Sequence, residues 1–119
     1  MIENALTVDV EDYFQVSAFE NHISRGDWSG IPVRVESNTL RIIDLFAEYE
    51  AKATFFILGW VAERYPGLVK RIADQGHEIA SHGYSHIRVT QQNPEEFRAD
   101  VVRTKKLLED ISGTRVQGY

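Results

Sequence analysis

Ala53-Thr54-Phe55-Phe56-Ile57-Leu58-Gly59 is a continuous apolar, aromatic and branched run closed by a glycine. A run of this kind suits a strand covered on both faces, as in a parallel sheet layered with helices. Downstream, Trp60 to Arg64 reads as a first helical turn. Pro66 is well placed to start a helix through Leu68, Val69 and Ile72 to Gln75, with Gly76 just past its end. His77-Glu78-Ile79-Ala80-Ser81 follows as another short strand. Upstream, Ser37 or Asn38 can cap a helix in which Leu40, Ile43, Phe46 and Tyr49 recur at spacing three, ending near Ala51. Ala5 to Val10 precedes it as a short buried strand leading into Asp9-Val10-Glu11-Asp12. Asn93-Pro94-Glu95-Glu96 starts a last helix, whose stripe of Phe97, Val101, Thr104, Leu108 and Ile111 runs until Gly113. Between Tyr13 and Ser37 no period is clean, and Gly26, Gly30 and Pro32 interrupt it. This stretch reads as loop with a short helical turn near Phe14 to Asn21.

Strand and helix therefore alternate three times, which is the order of an α/β fold with parallel strands and crossover helices, layered or barrel. In both architectures, catalytic groups gather at the C-terminal ends of the strands. With 43% hydrophobic and 26% charged residues in 119, the composition is that of one soluble globular domain. A net charge of −5 argues against a sequence-independent nucleic-acid binder, which needs clustered Lys and Arg. There is no cysteine, so any metal must be held by His, Asp or Glu. Met1-Ile2-Glu3-Asn4 is acidic and leads into a run broken by Asp9. That is neither a signal peptide nor a membrane span, so the expected location is cytoplasmic, with no membrane partner.

In Ser81-His82-Gly83-Tyr84-Ser85-His86 the two imidazoles are four residues apart, and a helical turn would put both on one face. Two His plus one carboxylate leave coordination positions open, the pattern of a hydrolytic zinc site or of another divalent ion such as cobalt, iron or nickel. Gly83 stands where the metalloprotease helix needs Glu, which excludes that class. On spacing alone, a pair of partly buried or surface histidines explains the pattern equally well. Position favours the metal site, because the pair follows one strand while a carboxylate cluster ends another. His22 and His77 have no comparable surroundings.

Asp9 falls inside an apolar run, where an unpaired carboxylate is costly, so a cationic partner is expected. Strand alternation puts Asp9 and Glu11 on one face, making Glu11 the first choice for the metal. If the strand stops at Asp9, Asp12 turns inward instead. Taken alone, such an acidic cluster is more often a solvated turn or a helix cap. Phe55 and Phe56 read as core, while Trp28, Trp60, Tyr13 and Tyr84 lie nearer loops and are the candidates for stacking on a sugar ring.

At these residues the chain resembles the polysaccharide deacetylases of the NodB-homology type, carbohydrate esterase family 4. Thr7-Val8-Asp9-Val10-Glu11-Asp12 is similar to their first motif and Ala53-Thr54-Phe55-Phe56 to their second strand. Ala62-Glu63-Arg64-Tyr65-Pro66 and Gly76-His77-Glu78-Ile79 resemble the approach to their His-x-x-x-His motif, which His82 and His86 fit. The Asp-Val-Glu-Asp form followed by Tyr13-Phe14, with the string around His82, most resembles the branch linked to bacterial exopolysaccharide gene clusters.

The resemblance implies a distorted (β/α)7 barrel in which a divalent ion, zinc first, is held by His82, His86 and Glu11 or Asp12. Asp9 would be the catalytic base, and the reaction would be hydrolytic N-deacetylation of N-acetylated oligo- or polysaccharides, releasing acetate. This sequence departs from the family pattern in two places. The two acids that are usually adjacent are separated here, Asp9 from Glu11 and Asp12, and Gly83 stands where the family has Ser or Thr. The family's Arg-x-Pro, Asp-Trp and Leu-His motifs are not found before Tyr119. Residues 1–119 are thus expected to be the N-terminal part of a deacetylase domain, either inactive alone or self-associating through exposed sheet edges. The competing readings are a catalytically silent metal-binding or assembly module and a related hydrolase of C–N amide bonds.

Overall fold

The structure, a computed structural model, describes residues 1–119. Three short strands, β1 (Thr7–Val10), β2 (Thr54–Ile57) and β3 (Glu78–Ser81), form a parallel sheet in that order. Between them run α1 (Val35–Glu48), α2 (Gly59–Arg64) and α3 (Pro66–Asp74), and α4 (Pro94–Ser112) follows β3. The register aligns Val8, Phe55 and Ile79, then Asp9, Phe56 and Ala80, then Val10, Ile57 and Ser81. Because side chains alternate, the first and third rows share one face and the middle row the other. Val10, Phe55, Ile57 and Ile79 are buried there with Ile43 of α1, Leu68, Val69 and Ile72 of α3, and Leu108 of α4.

The helix boundaries follow local chemistry in two cases and not in a third. α4 begins with a reciprocal cap, in which Glu96 N–H donates to Asn93 Oδ1 at 2.8 Å and Asn93 N–H to Glu96 Oε2 at 3.0 Å. α3 begins at Pro66, whose missing N–H has no partner to lose. The helix expected from Ser37 or Asn38 instead begins at Val35. Its cap comes from the distant Asp12 carboxylate, whose Oδ2 accepts from Arg34 N–H at 2.6 Å and Val35 N–H at 2.9 Å. Ser37 Oγ donates back to the Arg34 carbonyl and caps nothing. α1 also stops at Glu48, short of Ala51, and Tyr49 is exposed, so the apolar stripe ends at Phe46.

Two burial expectations change. β1 lies at the sheet edge, and Thr7 and Asp9 are exposed while Val10 is buried. β2 is fully covered on its helix face only, since Phe56, expected in the core, is half-buried on the other face. The stretch from Tyr13 to Gly30 winds through three 3-10 turns, and it sends Phe14 and Trp28 into the core. Past α4, the Gly118 carbonyl accepts from Ser81 N–H at 2.9 Å, so the chain's end runs beside β3.

Candidate metal centre

The C-terminal ends of β1 and β3 bring one carboxylate and two imidazoles together. Glu11 Oε2 lies 3.2 Å from His82 Nε2 and 3.0 Å from His86 Nε2. One ligand atom from each of the three residues fits within 4.8 Å of the others. Asp9, one pleat earlier on the same face, places Oδ2 3.9 Å from His82 Nε2. Its side chain is 54% exposed, so the burial expected of Asp9 is not found. Asp9 lies on the face of β1 opposite the helices, where its carboxylate keeps its water and needs no cationic partner.

Of the two acids left open by the sequence, Glu11 faces the imidazoles. Asp12 is turned away, buried, and occupied by the N–H groups of Tyr13, Arg34 and Val35. Burial pushes the Glu11 carboxyl up, but the hydrogen bonds and charges of His82 and His86 together outweigh it and hold it at about 2. His82 is raised, chiefly by its hydrogen bond to Glu11, against the effect of burial and with help from the Asp9 charge.

The expected helical turn across the His pair is absent. Residues 82–86 form an irregular loop in which Gly83 (φ 73°) and His86 (φ 55°) are left-handed. The two rings meet with centroids 5.0 Å apart. Gly83 is the residue that this backbone and its neighbour allow, since a Cβ there would lie 3.1 Å from Asp100 Oδ2. The loop is tied down along its length. His82 N–H donates to the Ile57 carbonyl at 3.0 Å, and the carbonyls of Gly83 and Tyr84 each accept at 2.9 Å from Gly59 and Trp60, two of the free N–H groups that open α2. Tyr84 N–H donates to the Asp100 carboxylate at 3.2 Å. Arg25 donates from Nε to the Ser85 carbonyl at 2.7 Å and from Nη2 to the His86 carbonyl at 2.8 Å.

Three of the four aromatic candidates are spoken for. Trp28 and Trp60 are 3% and 6% exposed and pack edge to face with each other, and both pack on Phe14 in the core. Tyr84 is covered by the Arg103 guanidinium and donates to Glu63. Tyr13 alone is exposed. A cleft of about 220 Å³ beside the histidines is lined by Ile87, Arg88, Val89 and Tyr119. Sequence reasoning singled out neither Arg25, Asp100 nor Tyr119, and no local pattern marks them. His77 is a structural histidine, its Nδ1 accepting from Ala53 N–H at 3.2 Å beneath Phe55.

A family model described as polysaccharide deacetylase matches residues 27–119. The chain belongs to the polysaccharide deacetylase family. The matched span takes in His82 and His86 and begins after Asp9 and Glu11. A peptidoglycan-N-acetylglucosamine deacetylase of Bacillus cereus is 41% identical over 75 residues, which are 63% of this chain and 27% of that protein. A peptidoglycan deacetylase of Helicobacter pylori is 32% identical over 97 residues, 82% of this chain and 31% of that one. Among solved structures, a peptidoglycan N-acetylglucosamine deacetylase bound to 4-naphthalen-1-yl-N-oxidanyl-benzamide superposes with a TM-score of 0.70 at 31% identity. It covers 96% of this chain and 44% of that one. A family 4 carbohydrate esterase from Bacillus anthracis gives 0.65 at 28% identity, over 70% of this chain and 42% of that one. The chain thus spans under half the length of these relatives, and its parallel sheet with crossover helices is the N-terminal part of their (β/α)7 barrel. No helix is long and apolar enough to cross a membrane.

Proposed function

We propose that residues 1–119 form the N-terminal part of a deacetylase domain and supply the metal ligands and the base of a site that removes acetyl groups from N-acetylated glycans. The observation that carries this reading is the convergence of Glu11, His82 and His86 at the ends of two parallel strands. The donor set fits a divalent ion, with two imidazole nitrogens, one carboxylate that stays ionised, and positions left open. Zinc is the first choice, with cobalt, iron and nickel also suited to imidazole ligands. Such an ion, when bound, would polarise the acetamide carbonyl and acidify a water. Glu11 and the two imidazoles would hold it. Asp9, solvent-open and beside His82, would take the proton of the attacking water. Hydrolysis would yield acetate and a free amino sugar. The names of the relatives, peptidoglycan and chitooligosaccharide deacetylases among them, support an N-acetylated saccharide as the substrate class. The compound named with the solved relative is an N-hydroxy amide, a group whose two oxygens are suited to chelating a metal ion, which supports the metal.

The second reading, a silent metal-binding or assembly module, is favoured by the open edge of β1, where a further strand or a second copy could pair. The deciding experiment measures zinc and cobalt affinity of the chain and of the His82→Ala/His86→Ala variant at mildly alkaline pH, together with acetate release from N-acetylglucosamine oligomers. About one ion per parent chain and none in the variant is expected. Negligible binding in both sinks the metal centre. Binding with no acetate release even when the remainder of a family deacetylase domain is fused after residue 119 favours the silent module.

A further inference from the structure

The backbone carbonyls of Ser85 and His86 have one hydrogen-bond partner in the protein, and it is not a neighbour in sequence. The Arg25 guanidinium reaches across 60 residues and places Nε on Ser85 O at 2.7 Å and Nη2 on His86 O at 2.8 Å. No other hydrogen bond holds the backbone of either residue, whereas His82 to Tyr84 are fixed by β2, α2 and Asp100. His86 also sits at φ 55°, a left-handed conformation that is unfavourable for an L residue and persists only when its surroundings enforce it. The base from which Arg25 reaches is itself rigid. It opens a 3-10 turn, Arg25–Gly30, that is nailed down by Trp28 in the core and by Ser24 Oγ donating to Asp27 at 2.9 Å.

We infer that Arg25 is a positioning residue for the metal centre: its guanidinium forks onto two successive carbonyls and so sets the backbone from which His86 presents Nε2 beside Glu11. This rests on the proposed reading of Glu11, His82 and His86 as ligands. The fork is a property of guanidinium, whose donors lie on separate nitrogens in one plane, whereas an ammonium radiates its three donors from a single nitrogen and does not match two carbonyls spaced for the fork. Arg25 therefore acts by shape, and keeping its charge alone does not replace it.

The test uses Arg25→Lys and Arg25→Ala with cobalt(II) as the probe, reading affinity, the visible absorption of the bound ion, and amide hydrogen exchange of the metal-free chain. Both variants are expected to lose about tenfold to a hundredfold in cobalt affinity, to shift the absorption bands, and to exchange faster only at Gly59, Trp60 and Tyr84, the amides whose hydrogen bonds tie the loop down. A parent-like affinity and spectrum in Arg25→Ala overturns the inference. So does full rescue by Arg25→Lys, which would make charge the operative property. Faster exchange throughout β2 and α4 would make Arg25 a general support of the fold and overturns it too. A parent chain that binds no cobalt sinks the metal-centre reading itself, and the exchange data at Gly59, Trp60 and Tyr84 then still decide whether Arg25 holds the loop.

Discussion

Glu11 and Asp12 are adjacent, carry the same charge, and spend it in opposite directions. Glu11 faces two imidazoles, while Asp12 faces three backbone N–H groups and holds the end of β1 against the start of α1. Replacing each tests a different property. Asp12→Ala leaves buried donors without an acceptor and is expected to cost about 3 kcal/mol in urea unfolding, an effect of stability before any effect on metal. Glu11→Gln removes a carboxylate that the folded chain holds well below its ordinary pKa, so it should lower the unfolding midpoint as well and abolish zinc binding in a calorimetric titration. His77 gives a third residue-level outcome. Burial, with the nearby Lys52 charge adding to it, lowers its pKa from the ordinary value, and Nδ1 is committed as an acceptor. A histidine with a depressed folded pKa contributes stability in full above its unfolded value near 6.5, and loses it as pH falls through the folded value. Stability should therefore decline on the acid side of about pH 6.5. His77→Asn, which can still accept from Ala53 N–H but does not titrate, should flatten that part of the profile in urea midpoints measured from pH 7.5 downward.

At the scale of the element, the loop carrying the histidines depends on how closely α2 approaches it. A Cβ on Gly59 would overlap Tyr84 Cδ2 and lie 3.1 Å from Tyr84 Cα. Helix propensity favours Ala over Gly by about 1 kcal/mol, whereas a clash with backbone costs about 1–3 kcal/mol. Gly59→Ala is expected to be net destabilising, and because relief requires moving Tyr84, zinc affinity should fall with it. A stabilised variant with parent affinity would show that the loop does not rest on α2. The same elements show what a sequence can and cannot disclose. Pro66, Asn93-Pro94 and Gly113 act on groups within one helical turn, so the starts of α3 and α4 and the end of α4 were legible. The cap of α1 was not, because its acceptor sits more than twenty residues upstream and Ser37 and Asn38 offer a plausible local substitute. The His pair was legible as a pair from its spacing, but its loop was not. Spacing by four suits a helix, and nothing local announces that His86 adopts a left-handed φ. Trp28 was misread for a related reason, since a loop in a sequence without period can still point inward, and Trp60, in the first turn of α2, packs against it.

At the scale of the whole molecule, the candidate ligands tie together parts of the chain that share little else. Glu11 and His82 are 71 residues apart, each just past the C-terminal end of an outer strand of a three-stranded sheet. β2 lies between them, so an ion held by Glu11, His82 and His86 would bridge both edges of the sheet at their C-terminal ends. That placement followed from the alternation of strands and helices alone, because parallel strands end on one rim. The burial of β1 did not follow, since pairing on its outer side is a property of the whole sheet and not of Thr7 to Val10. A ligand that binds the folded chain and not the unfolded one stabilises it by RT ln(1 + [L]/Kd), about 2.7 kcal/mol at a hundredfold excess over Kd. Zinc at that excess should therefore raise the thermal midpoint of this chain by roughly 6 °C or more, since about 1 kcal/mol shifts a domain of this size by several degrees. The His82→Ala/His86→Ala variant should melt at one temperature with and without zinc. A shift that survives the double substitution would place the ion elsewhere, and a parent midpoint indifferent to zinc would mean that the two strand ends are held at their separation by the sheet and its caps alone.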